Sequence, residues 1–521
     1  MSFAINVKGD FVNQNRNLRR VGLATTLVTV GALAISTGLP ANAAVATDTS
    51  ALREAVSAEG ILEHLEALQA IADANGGTRS SGTPGYEASA EYVEAQLTAA
   101  GYTPVRQYFS YDAFVENSAS LEQVAPTPTV YVNGTDFITM SYSGSGDVTA
   151  SVTAVDVNLT GDRASTSGCE AADFAAFPAG DIALIQRGTC PFRTKVDLAA
   201  AAGAVGVIVF NQGNDVPGDD RFGVVNGTLD PPQASIPAVG TSFAIGEALV
   251  GQEGLVMHLV VDAEVVTTES FNILADTAGR ADRTVVVGAH LDSVDEGPGI
   301  NDNGSGSAAI LETAIELAES GIEPTNRVRF AFWGAEEDGL VGSEYYVSQL
   351  TKRQIKDHAV NLNFDMVASP NFVRFVYDGD GSAFGSTGPN GSDRVEDVFV
   401  DYFASQGLET EPTEFDGRSD YFGFINAGIP AGGLFTGAEG IKTEEEAMIY
   451  GGTAGVAYDP CYHAACDTIE NINMEVLEQM ADAIAHATLV FAETTSAVNG
   501  TDRGSGSGSV NMQFKGNHAL K

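Results

Sequence analysis

Positive charge is scarce in this sequence. Its 521 residues carry 26 Lys and Arg against 69 Asp and Glu, a formal charge of −43, and the acid is spread along the chain rather than gathered in one tail. That balance excludes nucleic acid as a partner, because phosphate binding needs a concentrated basic surface. The acid reads instead as a solvated surface suited to salty surroundings. Long apolar runs are also scarce. The one candidate, Val21–Leu39, follows Arg16, Arg19 and Arg20, is broken by Thr25, Thr26, Thr29, Ser36 and Thr37, and ends at the small-residue site Ala41-Asn42-Ala43. This is the pattern of a cleaved export signal over residues 1–43, with the mature chain starting near Ala44 and the export route left open. No later segment offers the roughly 18 apolar residues of a span, so the mature protein is expected to be secreted and free of the membrane. Cysteine is limited to four residues, Cys169 with Cys190 and Cys461 with Cys466. In an exported chain, two local disulfides are expected; buried thiols or thiolate metal ligands are the alternatives. Histidine numbers only seven.

What is present suffices for two or three domains. Residues 57–74 and 87–100 space their apolar side chains as helices around the turn-forming run GGTRSSGTPGY. From Val130 the texture becomes rich in Val, Thr and Gly, with short strands and one helical patch at 195–202, and this lasts to Val265. From Phe271 on, the strand-like runs NILADTAG, TVVVGAHLDS and RVRFAFWGAEE alternate with a helical segment at 307–318, as in a sheet covered by helices. A last helix at 474–493 precedes a Gly/Ser-containing tail with GSGSGS at Gly504–Ser509. The fold class is therefore α/β, a mixed sheet flanked by helices with an inserted, mainly β unit. Its parts are a signal (1–43), a first piece of the main domain (44–130), the insert (131–265), the rest of the main domain (266–495) and a flexible tail (496–521).

Five places hold the chemistry: His290 in GAHLDSV, Asp302 in GINDNGSGS, Glu336-Glu337 in FWGAEEDG, Asp365 in NFDM and His463 in DPCYHAACD. Each is read at the end of a strand or in the loop that follows, where open α/β sheets build their sites. An acidic pair directly after an apolar strand is costly to bury without cations. Imidazole with carboxylate is a ligand set suited to zinc, and two bridged metals would acidify a water and stabilise an oxyanion, the needs of amide hydrolysis.

These motifs resemble those of the secreted di-zinc aminopeptidases of the aminopeptidase Y and bacterial leucyl aminopeptidase type. The resemblance covers roughly 57–110 and 266–490: His-x-Asp, an Asp twelve residues after His290, Glu-Glu, an Asp twenty-eight residues after Glu337, and a late His. It implies the zinc-dependent exopeptidase fold and two zinc ions per chain, with Asp302 bridging, His290 and Asp365 on one ion, and Glu337 and His463 on the other. Glu336 becomes the general base, and Asp292 the residue that orients the His290 imidazole. Tyr462 becomes the oxyanion-binding phenol, held in a loop closed by Cys461–Cys466. The resemblance also implies a cis Asp302-Asn303 peptide. It sets Arg418, Met366 and Phe435 around the substrate's amino-terminal residue, favouring a large apolar one, and by analogy allows a calcium ion near Glu478 and Asp482.

The insert's run GDIALIQRGTCPFRTKVDLAAAAGAVGVIVFNQ resembles the protease-associated domain, with Cys169 placed to pair with Cys190. Expected partners are peptides with a free amino terminus, acted on by a monomer. The competing readings are a related carboxypeptidase or amidohydrolase, and a non-catalytic binding relative. The last should have lost ligands, and this chain keeps all five together with Glu336.

Overall fold

The computed structural model describes residues 47–214 and 221–499. The expected export signal and nearly all of the tail lie outside the described residues. Helices Ala58–Ala74 and Pro84–Ala99 form where the apolar spacing placed them, and a short helix, Ser50–Ala55, precedes them. Ser57 and Thr83 cap the two longer helices, each hydroxyl accepting from the N–H three residues on. Pro84 suits a first turn whose N–H has no helical partner. Ile61, Leu65 and Leu68 of the first join the large core that Gly306–Glu319 and Met474–Glu493 close from the same side.

The main sheet runs, in order, through Glu411–Thr413, Phe375–Tyr377, Ala431–Phe435, His358–Phe364, Arg280–His290 and Asn326–Trp333. The last four of these strands, Ala431–Phe435 to Asn326–Trp333, are parallel, so their C-terminal ends share one edge. Both faces are covered. Val285 and Val287 pack against the helices just named, whereas Val286 and Trp333 meet Tyr346 and Phe424 from helices on the opposite face. Double burial is why TVVVGAH reads as one unbroken apolar run.

Beside Asn326–Trp333 lies a two-stranded ribbon that joins the two halves of the molecule. Val105–Ala125 and Val256–Asp276 are each 21 residues long and pair antiparallel along their length. The end of the second strand at Ile273–Asp276 pairs with Asn326–Trp333, and its start at Val256–Val261 pairs with Gly146–Val155 of the insert. The 265/266 junction suggested by composition thus falls inside one continuous strand.

In the insert, Gly146–Val155, Ile182–Gln186, Gly206–Phe210 and Ala238–Thr241 are parallel neighbours, with Phe137–Thr139 antiparallel at the edge. Ile182, Leu184, Ile208 and Phe210 face one small core; Ala183, Ile185, Val207 and Val209 face the other. Helix Phe192–Ala201 matches the helical patch, while Phe243–Val250, an apolar stretch too short for a periodicity to show, is a second helix. Helix Met474–Glu493 is as expected, followed by a further short turn, Ser496–Asn499. The cysteines form two disulfides, Cys169–Cys190 and Cys461–Cys466.

Candidate metal centre and active site

The shared edge of the parallel strands carries the acidic and imidazole side chains. His290 ends its strand, Glu336 and Glu337 follow Asn326–Trp333, and Asp365 follows His358–Phe364. Asp302 sits in the turn before helix Gly306–Glu319, with a cis peptide to Asn303. Gly306 lets this turn approach the sheet, since a Cβ there would lie 2.3 Å from both Asn303 Oδ1 and the Phe364 carbonyl. Asn303 completes the junction by donating to the Phe364 carbonyl and accepting from Met366 N. His463 departs from the expected placement: it comes from the irregular stretch after helix Glu444–Tyr450, not from a loop following a strand. Ala335, Met366 and His463 all have left-handed backbone, φ 56°, 50° and 53°, a strain that gathers where function over-determines geometry.

Asp302 divides its oxygens between the histidines. Oδ1 lies 3.3 Å from His290 Nε2 and Oδ2 lies 3.2 Å from His463 Nε2. Asp365 Oδ1 is 3.4 Å from His290 Nε2, and Glu337 Oε2 is 3.1 Å from His463 Nε2. Donor atoms of His290, Asp302 and Glu337 fall within 4.8 Å of one another, as do those of His290, Glu336 and Asp365. Burial alone would lower the His290 imidazole, but Glu336, Asp365 and Asp302 carry it well above its usual range. Burial pushes the Glu336 carboxyl well up, against the pull of His290, with Asp420 and Asp365 adding to the rise. Glu336 and Glu337 resist ionising, while His290 and His463 favour charge and, despite its burial, pull Asp302 toward its ionised form, the pattern of a site short of cations. Glu337 Oε1 and Asp365 Oδ1 are also buried without a hydrogen-bond partner, so the residues present fit divalent metal.

Several supports are single polar residues that no local pattern marked. Ser419 donates to Asp365 Oδ2 at 2.6 Å. Asp467 accepts from the backbone N–H of Asn301 and Asp302, both at 2.9 Å, and so holds the turn that presents Asp302. Its place directly after Cys466 was the only available sequence signal. Asp292 acts differently from expectation. His290 Nδ1 lies 3.1 Å from the Asp292 backbone carbonyl and 3.8 Å from its carboxylate, which instead accepts from Glu336 N and Glu337 N, both at 3.3 Å. The carboxylate therefore shapes the turn bearing the two glutamates, and the imidazole is oriented by the main chain.

Tyr462 stacks on His463 with ring centroids 3.8 Å apart, and Arg418 Nη2 donates to its phenol oxygen at 3.2 Å. A recess of about 70 Å³ is lined by the metal-site residues together with Met366, Phe435 and Tyr377 and the polar Thr413, Glu414 and Asp416. It opens into a chamber of about 580 Å³ that shares Glu336, Glu337, Arg418, Tyr462 and His463. The chamber's far wall comes from the ribbon and the insert, through Tyr111, Asp112, Tyr142, Asp230 and Pro231. Tyr111 donates to Asp338 at 2.6 Å across this gap. Glu478 and Asp482 are engaged elsewhere: Glu478 accepts from Ala58 N at 2.6 Å and Asp482 faces Arg53 at 3.8 Å.

Fold and site together define a metal-dependent exopeptidase. The chain belongs to Peptidase family M28, whose model matches residues 272–488, and it contains a PA domain, matched over 148–249. An aminopeptidase of Pseudomonas aeruginosa is 51% identical over 451 residues, 86% of this chain and 83% of its own. A probable leucine aminopeptidase 2 of Aspergillus fumigatus is 42% identical over 424 residues, covering 81% and 80%. Among solved structures, BSAP, a zinc aminopeptidase from Bacillus subtilis, aligns with TM-score 0.61 at 26% identity, covering 83% of this chain and 94% of that one. The protein is an aminopeptidase of this family.

Proposed function

We propose that the chain is an exported aminopeptidase that uses two zinc ions and releases large apolar residues, leucine above all, from the free amino termini of peptides, acting as a monomer. The observation that carries this reading is the division of Asp302 between two imidazoles, each accompanied by a further carboxylate. His290, Asp365 and Asp302 would hold one ion and His463, Glu337 and Asp302 the other; the pair would supply Lewis acidity and lower the pKa of the attacking water. Glu336 takes the proton from that water and delivers it to the leaving amine. Tyr462 donates its phenol proton to the oxyanion that forms on the substrate carbonyl. Asp365 and Glu336 hold the substrate ammonium by charge-assisted hydrogen bonds.

Met366 and Phe435 support the side-chain preference, since both line the recess at the metal-site residues and offer soft apolar contact there. Names of relatives agree: one is a probable leucine aminopeptidase and one a zinc enzyme. The carboxypeptidase reading finds no support, because Arg418, the one Arg or Lys lining either cavity among the described residues, is already paired with Glu439 at 2.7 Å. Export is supported by the two disulfides, which persist in an oxidising compartment. The export signal is proposed at residues 1–43, and no calcium is assigned to Glu478 and Asp482.

A panel of aminoacyl chromogenic amides, assayed on metal-depleted and zinc-restored protein, tests the reading. Leucyl amides should be cut, acetyl-leucyl amides left intact, and activity should return as two zinc ions rebind. Equal cleavage of both amides would replace the aminopeptidase with a general amidohydrolase, and one zinc or none at full activity would remove the paired-metal model. Glu336→Gln should keep both metals and lose about a hundredfold or more in kcat, the lower end of general-base contributions.

A further inference from the structure

Arg418 is expected from the sequence to face the substrate, yet its guanidinium is committed elsewhere. Nη1 donates to Glu439 Oε1 at 2.7 Å and Nη2 to Glu439 Oε2 at 3.3 Å, a fork matched to both carboxylate oxygens. The same Nη2 donates to Tyr462 Oη at 3.2 Å. Glu439 itself is fixed by the chain around it: the carbonyls of Ala438 and Gly440 accept from Asp459 N and Tyr458 N, both at 2.8 Å. The segment that bears Glu439 is thereby tied to the start of the loop that bears Tyr462 and His463.

A guanidinium has five donors and no acceptor. Where it meets a phenol, the phenol oxygen must accept, and the phenol's own proton is left for another partner. Stacking on His463, with the rings inclined by 24°, removes the remaining freedom of the Tyr462 ring. We infer that Glu439 is a positioning residue for the reaction: by holding Arg418 in a two-toothed grip, it fixes the donor that turns the Tyr462 hydroxyl proton toward the substrate carbonyl. This rests on the reading of Tyr462 as the oxyanion donor. It adds a residue with no place in the ligand set, the base or the expected substrate pocket, and it gives Arg418 a task other than contact with substrate.

The test uses the zinc-loaded full chain, leucyl p-nitroanilide, and an α-aminoalkylphosphonate that mimics the tetrahedral intermediate of leucine release. Glu439→Gln, which keeps shape but gives up the paired charge, should lower kcat about tenfold, the value of one charge-assisted hydrogen bond. KM should stay within about twofold, as for a contact strengthened only in the transition state. Phosphonate affinity should fall with kcat while affinity for leucine stays unchanged. Zinc content and Tm report that the site is intact, and Glu439→Asp should recover part of the lost kcat.

The decisive measurement is the double variant. If Glu439 works through the phenol, then Glu439→Gln in a Tyr462→Phe background changes nothing further. Multiplying effects in the double variant, or a loss confined to KM, would overturn the inference while leaving Tyr462 in its role. Full kcat in Tyr462→Phe alone would instead remove the phenol reading, and this inference with it.

Discussion

Buried charge is handled in opposite ways at one site in each half of the molecule. In the insert, Lys195 is fully buried, and its ammonium donates to the carbonyls of Ser167 and Gln186. Burial lowers its pKa to about 8, with the charge of Asp173 opposing. In the peptidase half, Glu337 and Asp365 each keep a buried oxygen without a hydrogen-bond partner, among neighbours of like charge. A satisfied buried charge organises structure, whereas an unsatisfied one marks a place reserved for something that binds.

The largest test of this contrast is removal of metal. Chelation should abolish turnover and lower stability by about 4 kcal/mol relative to protein at a thousand times the metal Kd, read as kcat and as the denaturant midpoint. An unchanged midpoint would mean that the carboxylate cluster is not held together by ions. Next come the disulfides. Cys169→Ser with Cys190→Ser opens a loop of sequence separation 21 in the insert and should cost about 3 kcal/mol at little change in kcat. Cys461→Ser with Cys466→Ser opens a loop of separation 5 around Tyr462 and His463 and should cost about 2 kcal/mol but reduce kcat. The reverse assignment of effects would erase the distinction between the halves. Lys195→Met leaves two carbonyls unpaired and should destabilise by about 1–3 kcal/mol, with kcat per zinc unchanged.

The smallest effect sharpens the contrast with a buried base that is satisfied inside the peptidase half. His358 Nδ1 and Nε2 bond the Gln354 carbonyl and Tyr346 Oη, both at 2.6 Å, and burial lowers its pKa to about 4 from 6.5. The folded imidazole is therefore neutral at pH values where the unfolded one takes up a proton. Stability is complete above about pH 6.5 and falls as pH drops toward 4, by about 1.4 kcal/mol at pH 5.5. His358→Gln should flatten this slope in urea titrations between pH 7 and 5; an unaltered slope would place the acid sensitivity elsewhere.

The sequence showed most clearly what is buried on two faces or written in short motifs. TVVVGAH and RVRFAFW are apolar throughout because helices cover both sides of their strands, and the metal-site residues follow such runs directly. The ribbon was not legible. Along Val105–Ala125 exposed and buried positions mix irregularly, with Tyr108 63% exposed and Leu121 fully buried, because this outer strand of the ribbon meets the insert's cores around Phe114 and Leu121 and faces solvent along much of the rest. Ser419, Glu439 and Asp467 escaped notice for another reason. Each is one polar residue whose partner lies across the fold, so nothing within a window of sequence distinguishes it from surface. The role expected of Asp292 could not be separated from that of its own carbonyl, since both atoms belong to the same residue and only geometry tells which one faces the ring.

The ribbon also makes the insert separable on paper. Val115 and Glu264 are paired neighbours on its two strands, so everything between them leaves and re-enters the peptidase half at adjacent points. Topologically the PA unit is the oversized tip of a β-hairpin, and a tight turn closing the strands near that pair would restore an ordinary one. Such a miniature would keep every metal-site residue, yet lose Tyr142, Asp230 and Pro231 from the chamber wall. What the insert adds to the chamber is thus a wall that stands apart from the metal-site residues and is carried on strands continuous with the main sheet.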